Sequence, residues 1–277
     1  MIKMILLPTG YTDQHQRLGL YYLQQGRCGL TSAESQMIMA GFDLLHHAVV
    51  VTDQEKLSFS TIYQRYVDTH FADPYLDALL QIADVAKEHN ALRARYARVI
   101  LQQLLAAGFQ QGDVIESNLL LAYCLYFWES FAVGYAFEVE IFRDLQASGI
   151  HFRAHDLRSR QERLSPYDLE VLGLQGDIKN SLYFLQIGRE QGLSRDFYIT
   201  RFYEGRRRYT FIVMVQLEAW HEIDGETIAG LLQEATRHFP LPVQVELATG
   251  SIVVADYTVW KQKVLRQQRR MEDADGR

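Results

Sequence analysis

Two carboxylates and a lysine stand close together in the second half of the chain, in an order that suits phosphodiester chemistry. Asp177 and Lys179 are separated by one residue, and Asp168 lies a short distance before them. Side chains two apart on a β-strand point to the same face, so an extended D-x-K segment projects its acid and its base together. Carboxylate oxygens suit Mg²⁺, which polarises a phosphodiester and acidifies water. The lysine can align that water or neutralise charge developing on the phosphoryl group.

The elements that must position these residues are short strands. From residue 150 onward the hydrophobic pattern changes to period two and predicts strands at 150–154, 168–172 and 177–185, with the Gly173–Gly176 turn joining the last two as a hairpin. A second hairpin around Glu204-Gly205 is predicted from strands 197–203 and 209–218. A helix at 223–239, strands at 243–248 and 252–257, and a helix at 259–270 complete this half.

The first half has a helical pattern. Thr31 or Ser32 caps a helix over 34–47, Asp73-Pro74 opens one over 75–89, and a third over 90–107 stops at Gly108. A long apolar stretch over 113–145 is broken near Gly134 and ends at Gly149. We therefore predict an all-helical N-terminal region over 1–112 and an α/β domain over 113–277, with a mixed sheet flanked by helices.

The stretch 130–220 resembles the PD-(D/E)xK nuclease superfamily, the restriction-endonuclease-like proteins. In that superfamily a helix with a glutamate precedes a hairpin, whose first strand carries Asp and whose second carries (D/E)xK. The matching segments are Pro166-Tyr167-Asp168, in which Tyr167 is an insertion, then Asp177-Ile178-Lys179, and a preceding helix with Gly134, Phe137-Glu138, Phe142, Leu145 and Gly149.

This resemblance implies a restriction-endonuclease-like fold and a metal-dependent nuclease. It adds Glu138 to Asp168 and Asp177 as metal ligands, with Lys179 as the fourth catalytic residue. Mg²⁺ is the implied cofactor, with Mn²⁺ as a substitute, and DNA is favoured over RNA as the substrate. Glu140 lies about 200° round the helix from Glu138, so both cannot face one site.

Each candidate also has a structural interpretation. In it, Asp168 and Asp177 are solvated strand or turn residues, Lys179 is a charged edge-strand residue, and Glu138 is a surface helix residue. Pairs such as His155-Asp156 most often lie in loops without a catalytic role. Other residues also have two interpretations. Glu170 is an extra metal ligand or merely exposed, and Asn180 and Ser181 contact phosphate or are ordinary polar strand residues. Arg206 to Arg208 lie in a solvated turn or contact the phosphate backbone.

Charge and composition limit the partners. Residues 1–150 hold 10 Lys or Arg against 16 Asp or Glu, whereas residues 151–277 hold 18 of each. The acidic N-terminal region therefore predicts protein contacts or self-association, and phosphate contacts need only local cations in the second half. The start of the chain lacks the pattern of a signal peptide, and the longest apolar run, 119–128, is too short for a bilayer span. We expect a cytoplasmic protein without membrane association.

Three functional hypotheses follow. The first is a Mg²⁺-dependent nuclease, and the second is a nuclease fold that does not cleave and serves as a binding or interaction module. The third is an unrelated α+β protein. Metal-dependent cleavage separates the first from the second, and the fold around Asp168 and Lys179 separates the third from both.

Overall fold

The chain forms two compact units, Met1–Val133 and Gly134–Arg277, whereas the hydrophobic pattern predicts a division after residue 112. A computed structural model describes residues 2–110, 114–180, 195–204, 207–216 and 225–275. The boundary between the units falls inside a single long helix, α6, which runs from Ile115 to Ala147.

The first unit contains a small sheet, so the prediction of an all-helical N-terminal region is wrong. Its three strands are antiparallel in the order β1-β2-β3. The described elements are β1 (Ile2–Leu6), α1 (Asp13–Gln25), α2 (Ser32–Leu45), β2 (Val49–Thr52), β3 (Lys56–Ser58), α3 (Phe59–Tyr63), a π-helical turn (Gln64–Asp68), α4 (Thr69–Gln81), α5 (Val85–Ala106) and the first part of α6.

The sheet forms because two short apolar segments complement each other across a long stretch of sequence. The β-branched run at Val49–Thr52 favours an extended backbone, and Ile5 pairs with Val50. Val50 is fully buried and Ile2 is 8% exposed. Strands β1 and β2 are too short to show a period and their partners lie over forty residues apart, so local patterns do not reveal their pairing.

Capping decides where the helices of the first unit begin and end. Thr31 caps α2 by accepting the Glu34 amide hydrogen, as predicted. The predicted start at Pro74 is wrong, because α4 continues directly from the preceding π-helical turn and includes Pro74 in its interior. Helix α5 starts at Val85, where the Asp84 side chain accepts the Lys87 amide hydrogen. It ends before Gly108, whose φ of 81° confirms the predicted stop.

Helix α6 is unbroken at Gly134, contrary to the predicted interruption. It is the one helix in the described residues that is long and apolar enough to cross a membrane by length and composition, and 56% of its most apolar window is buried inside the protein. A core helix has the same properties. Residues 119–124, within the predicted apolar run, are all buried.

The second unit is built on a mixed seven-stranded sheet in the order β4-β5-β6-β7-β8-β10-β9. Strands β6 and β7 are parallel, and the other neighbouring strands are antiparallel. The described elements are the second part of α6, β4 (Arg153–Ala154), a 3₁₀ turn (Glu162–Leu164), β5 (Leu169–Val171), β6 (Leu174–Lys179), β7 (Phe197–Glu204), β8 (Arg207–Val215), α7 (Gly225–Arg237), β9 (Val243–Glu246), β10 (Ser251–Asp256) and α8 (Tyr257–Asp275).

These elements agree with the α/β pattern predicted for this half, a mixed sheet flanked by helices. Both predicted hairpins are present, since β5 pairs with β6 and β7 with β8 in antiparallel fashion. Parts of the predictions lie outside the described residues: the start of the helix at Asp113, the strand beyond residue 180, the turn residue Gly205, and the segment 217–224.

Helices cover both faces of this sheet, and strand alternation assigns residues to them. On one face Ile178 and Ile199 pack with Phe137 of α6 and Trp260 of α8. On the other face Tyr198, Phe211 and Val213 pack with Leu231, Leu232 and Ala235 of α7. Asp177 pairs with Tyr198 and Lys179 with Thr200, so alternation places the D-x-K side chains on the face opposite Ile178.

Gly176 is required by packing rather than by the turn in which the sequence analysis placed it. It lies within β6, and a Cβ atom at this position would come within 2.2 Å of the Phe197 ring in the core. We expect Gly176→Ala to lower the free energy of unfolding by about 2 kcal/mol, as overpacking typically does. Chemical denaturation of both proteins measures this change.

The matched control is Gly134→Ala, where a new Cβ meets none of the described atoms within 4 Å. Because alanine favours a helix interior, this variant should gain about 0.5–1 kcal/mol. Equal effects of the two substitutions would contradict the packing role assigned to Gly176.

Candidate metal centre

Lys179 lies between the two aspartates that the sequence analysis singled out. Its Nζ atom is 3.6 Å from Asp168 Oδ2 and 3.3 Å from Asp177 Oδ2. The two carboxylates are 13% and 16% exposed, and Lys179 is 36% exposed. The structure thus brings these three predicted residues into one cluster, of which the lysine is the most exposed member.

The β5–β6 hairpin creates this cluster. Its turn places Leu172 and Gly173 at φ values of 53° and 80°, as a two-residue hairpin of the primed type requires. The resulting register pairs Leu169 with Gly176, so Asp168 lies across from Asp177. The Asp168 carboxylate also accepts the Ile178 amide hydrogen at 2.6 Å, which fixes its position against β6.

Glu138 reaches the cluster from α6 through a histidine. The Nε2 atom of His155 lies 3.2 Å from Glu138 Oε2, and its Nδ1 atom lies 3.9 Å from Asp168 Oδ1. His155 and Glu138 are 5% and 12% exposed. Glu138, His155 and Asp168 each offer one ligand atom within 4.8 Å of the others. Asp177, the third predicted ligand, is outside this three-residue group and flanks it through Lys179.

His155 is the residue that sequence reasoning undervalued. From the sequence alone, His155-Asp156 is predicted to be an ordinary loop pair. However, β4 pairs with β5 so that Ala154 lies opposite Leu169, and the His155 amide donates to the Asp168 carbonyl. A pairing of the predicted strand at 150–154 with the strand after Asp168 was the signal that could have found it.

Arg195 is a second residue that the sequence analysis did not identify. It precedes β7, and its Nε atom is 3.7 Å from Asp177 Oδ1. Strand β7 runs parallel to β6 with Phe197 beside Gly176, which brings the start of β7 next to Asp177. Only this non-local pairing places Arg195 at the site, so its neighbours in sequence give no sign of it.

Glu140 faces a different partner from Glu138, as the helical geometry predicts. Its carboxylate accepts a hydrogen bond from Arg201 Nη2 and lies 3.7 Å from Arg208 Nη2. Asn180 is also in this group, because its Oδ1 atom accepts from Arg201 Nη1 at 3.3 Å. Glu170 lies 3.9 Å from Arg153. Ser181 and Arg206 are outside the described residues.

At two carboxyl groups of the centre, burial raises the pKa by more than the neighbouring groups lower it. Burial raises the pKa of Glu138 to about 7, and the hydrogen bond from His155 opposes that rise. Burial also raises the pKa of Asp177, against the effect of Lys179. Burial lowers the pKa of His155, but the hydrogen bond and charge of Glu138 together with Asp168 reverse this, so the pKa of His155 is raised.

The pKa of Lys179 is also raised. Burial alone would lower it, but the negative charges of Asp168, Asp177 and Glu138 outweigh that effect. The lysine therefore stays protonated at neutral pH, and its positive charge is held where the carboxylates converge.

These shifts predict that the metal-free protein loses stability as the pH rises from about 5 to about 8. Glu138 has an ordinary pKa of 4.5 and a folded pKa of about 7. Between these values the unfolded chain loses this proton while the folded protein keeps it, so a rising pH favours unfolding. The raised pKa of His155 acts in the same direction, because its stabilising charge is lost as the pH rises through the folded value. Glu138 alone would contribute roughly 3 kcal/mol.

Thermal and urea unfolding in EDTA at several pH values measure this effect. Glu138→Gln keeps the shape of the side chain and removes its ionisation, so the variant should show a flatter pH profile than the wild type. A wild-type profile that is flat between pH 5 and pH 8, or one that rises, would contradict the assignment.

The residues present fit a divalent cation. Two carboxylates and an imidazole are ordinary ligands for Mn²⁺, Fe²⁺ or Zn²⁺, and the oxygen ligands also suit Mg²⁺. The buried Nδ1 atom of His155 has no hydrogen-bond partner among the described residues, although it faces Asp168. A cation between these groups would satisfy that nitrogen and neutralise the carboxylates.

Known proteins give no further indication of what this site does. No family model matches the chain, and no curated protein or solved structure is significantly similar to it.

Proposed function

We propose that the second unit is a metal-dependent nuclease that hydrolyses phosphodiester bonds, with DNA favoured over RNA as the substrate. The observation that carries the proposal is the convergence of Glu138, His155 and Asp168 within 4.8 Å of one another, with Lys179 Nζ 3.6 Å from Asp168. Metal ligands beside a protonated lysine are suited to a reaction in which negative charge builds up on a phosphoryl group.

Each residue has a distinct role in this proposal. Glu138, His155 and Asp168 would hold Mg²⁺ or Mn²⁺, and Asp177 would add a further carboxylate from the same strand as Lys179. A cation bound there would supply Lewis acidity for polarising the phosphodiester and acidifying water. Lys179 orients the attacking water and stabilises charge on the phosphoryl oxygens, while Arg195 keeps Asp177 in position through their 3.7 Å contact.

The proposal includes the restriction-endonuclease-like fold implied by the sequence resemblance. Three features of the second unit support it: a helix with Glu138, then a hairpin with Asp168 before its first strand, and Asp177-Ile178-Lys179 on its second strand. This is the order of acidic helix, Asp strand and D-x-K strand on which the resemblance rests.

The test is cleavage by the 277-residue protein across a metal series. Plasmid, linear duplex, single-stranded DNA and RNA are incubated with EDTA-treated protein alone and with Mg²⁺, Mn²⁺, Ca²⁺ or Zn²⁺. We expect cleavage with Mg²⁺ or Mn²⁺, faster for DNA than for RNA, and none in EDTA.

A matched pair of variants assigns the activity to this site. Asp168→Asn removes a proposed ligand, whereas Glu170→Gln changes a nearby carboxylate that pairs with Arg153 instead. The first should abolish cleavage and the second should leave it within about twofold of the wild type, as expected for a peripheral residue. Wild-type protein that binds no divalent ion and cuts none of these substrates would overturn the proposal in favour of an interaction module that does not cleave.

A further inference from the structure

Two positively charged side chains lie beside the Asp177 carboxylate, one near each of its oxygens. Lys179 Nζ is 3.3 Å from Asp177 Oδ2, and Arg195 Nε is 3.7 Å from Asp177 Oδ1. Lys179 Nζ is also 3.6 Å from Asp168 Oδ2. The ammonium group is therefore shared by two carboxylates, and Asp177 has a cation of the protein at both of its oxygens.

The other side of the centre has no such cation. In the described part of the chain, His155 is the one ion-pair partner of Glu138. The two oxygens of Asp168 face different groups, since Oδ1 lies 3.9 Å from His155 Nδ1, whereas Oδ2 accepts the Ile178 amide hydrogen and lies beside Lys179. The centre thus divides into a group without a lysine or arginine, formed by Glu138, His155 and Asp168 Oδ1, and a group that Lys179 already neutralises.

Charge balance limits how many divalent ions this arrangement favours. When ionised, Glu138, Asp168 and Asp177 contribute three negative charges, and Lys179 and Arg195 contribute two positive ones; a histidine that binds a metal is neutral. These side chains together carry a net charge of −1. One divalent ion would change this to +1 and two would change it to +3, in a partly buried cluster where like charges repel more strongly than in water.

We propose that the centre binds a single divalent ion at Glu138, His155 and Asp168, and that the Lys179 ammonium takes the place of a second ion between Asp168 and Asp177. Arg195 supports this arrangement by lying beside the other oxygen of Asp177. Sites with two metal ions hold them about 3.5–4 Å apart, which requires carboxylates that are free to bind both. The inference rests on the proposed nuclease function and specifies the metal stoichiometry of its site.

The number of manganese ions bound per chain tests this inference. The 277-residue protein, treated with EDTA and freed of it, is dialysed to equilibrium against a series of Mn²⁺ concentrations, and bound manganese is measured by elemental analysis. Electron paramagnetic resonance of the same samples distinguishes an isolated Mn²⁺ ion from a coupled pair about 3.5–4 Å apart. We expect binding to saturate at one Mn²⁺ per chain, with the spectrum of an isolated ion.

Lys179→Met removes the ammonium group and keeps an unbranched side chain. Because Asp168 and Asp177 then lack their shared cation, this variant should bind a second Mn²⁺ and give the spectrum of a coupled pair. Adding Asp177→Asn to it removes a ligand of the second ion and should return the count to one. Asp177→Asn alone should also saturate at one ion, at a higher Mn²⁺ concentration than the wild type. A metal ion offers no N–H donor to orient water, so cleavage should stay lost in Lys179→Met.

Lys261→Met is the matched control. Lys261 of α8 pairs with the Asp144 carboxylate of α6 and donates to Ser148, so this substitution removes an ammonium group that pairs with a single carboxylate instead of two. It should bind one Mn²⁺ with the affinity of the wild type. Thermal melts in Mn²⁺ establish that each variant is folded, and the wild-type count tests the inference without any variant.

A wild-type protein that binds two Mn²⁺ ions as a coupled pair would overturn the inference, and cleavage of DNA by that protein would leave the proposed nuclease function standing. A folded Lys179→Met protein that binds only one ion would also overturn it, as would a second ion in the Lys261→Met control. One ion in the wild type and two in Lys179→Met, without cleavage of any polynucleotide, would support the inference and count against the nuclease function.

Discussion

Replacement of Lys179 by alanine is expected to abolish metal-dependent cleavage while leaving the protein folded. The ammonium group lies within 4 Å of both Asp168 and Asp177 and is the proposed stabiliser of charge in the transition state. Contributions of this kind are typically worth about 3–4 kcal/mol, or a hundredfold to a thousandfold in kcat. Lys179 is 36% exposed, but its removal leaves the 13% and 16% exposed carboxylates of Asp168 and Asp177 without this charge, so it should cost roughly 1–3 kcal/mol of stability.

Asp177→Asn provides the comparison that separates charge stabilisation from metal binding. This variant should also lose activity, but through weaker metal binding, so excess Mg²⁺ or Mn²⁺ should restore part of it. Lys179→Ala should not respond to excess metal. Retention of more than a tenth of wild-type kcat by Lys179→Ala, with thermal melts showing a folded protein, would contradict the role assigned to the lysine.

The largest effect on stability is expected from Arg201→Met. Arg201 is 7% exposed and donates hydrogen bonds to Glu140 and Asn180. Its guanidinium also lies over the Phe137 ring, 4.0 Å from the centroid. Removing one partner of a buried ion pair leaves the other uncompensated and typically costs about 3–5 kcal/mol. We expect about 3 kcal/mol here, because Glu140 is partly exposed and Arg208 remains beside it.

A double-mutant cycle with Glu140→Gln tests whether the loss comes from this pair. Urea unfolding of the two single variants and the double variant gives the coupling energy, which should be at least about 1 kcal/mol for residues in direct contact. Arg237 and Glu234 provide a matched exposed pair within α7; their coupling should be below about 0.5 kcal/mol. Additive effects of Arg201→Met and Glu140→Gln would contradict the assignment.

Local sequence patterns predicted the part of the candidate site that is held by adjacent strands. The D-x-K spacing places Asp177 and Lys179 on one face of β6 because strand geometry has a period of two. The predicted hairpin brings Asp168 alongside them, but the sequence left its register open, and the observed turn is at Leu172–Gly173 rather than over Gly173–Gly176. Helical geometry likewise separated Glu138 from Glu140, whose partners are different.

The rest depends on contacts between residues far apart in sequence. His155 joins the centre through the pairing of β4 with β5, and Arg195 joins it through the parallel pairing of β6 with β7. Neither pairing leaves a periodic pattern in the sequence. The same reason explains the missed sheet of the first unit, where β1 pairs with β2. Burial, rather than residue type, also sets the raised pKa of Glu138.

Diffraction from crystals soaked in Mn²⁺, recorded at the manganese edge, tests the central claim most directly. We expect an anomalous peak that marks a manganese ion bound by Asp168, His155 and Glu138. The peak should be absent from crystals of Asp168→Asn. A saturating soak that leaves this position without a peak, or that places manganese only at other carboxylates, would contradict the assignment of a metal centre.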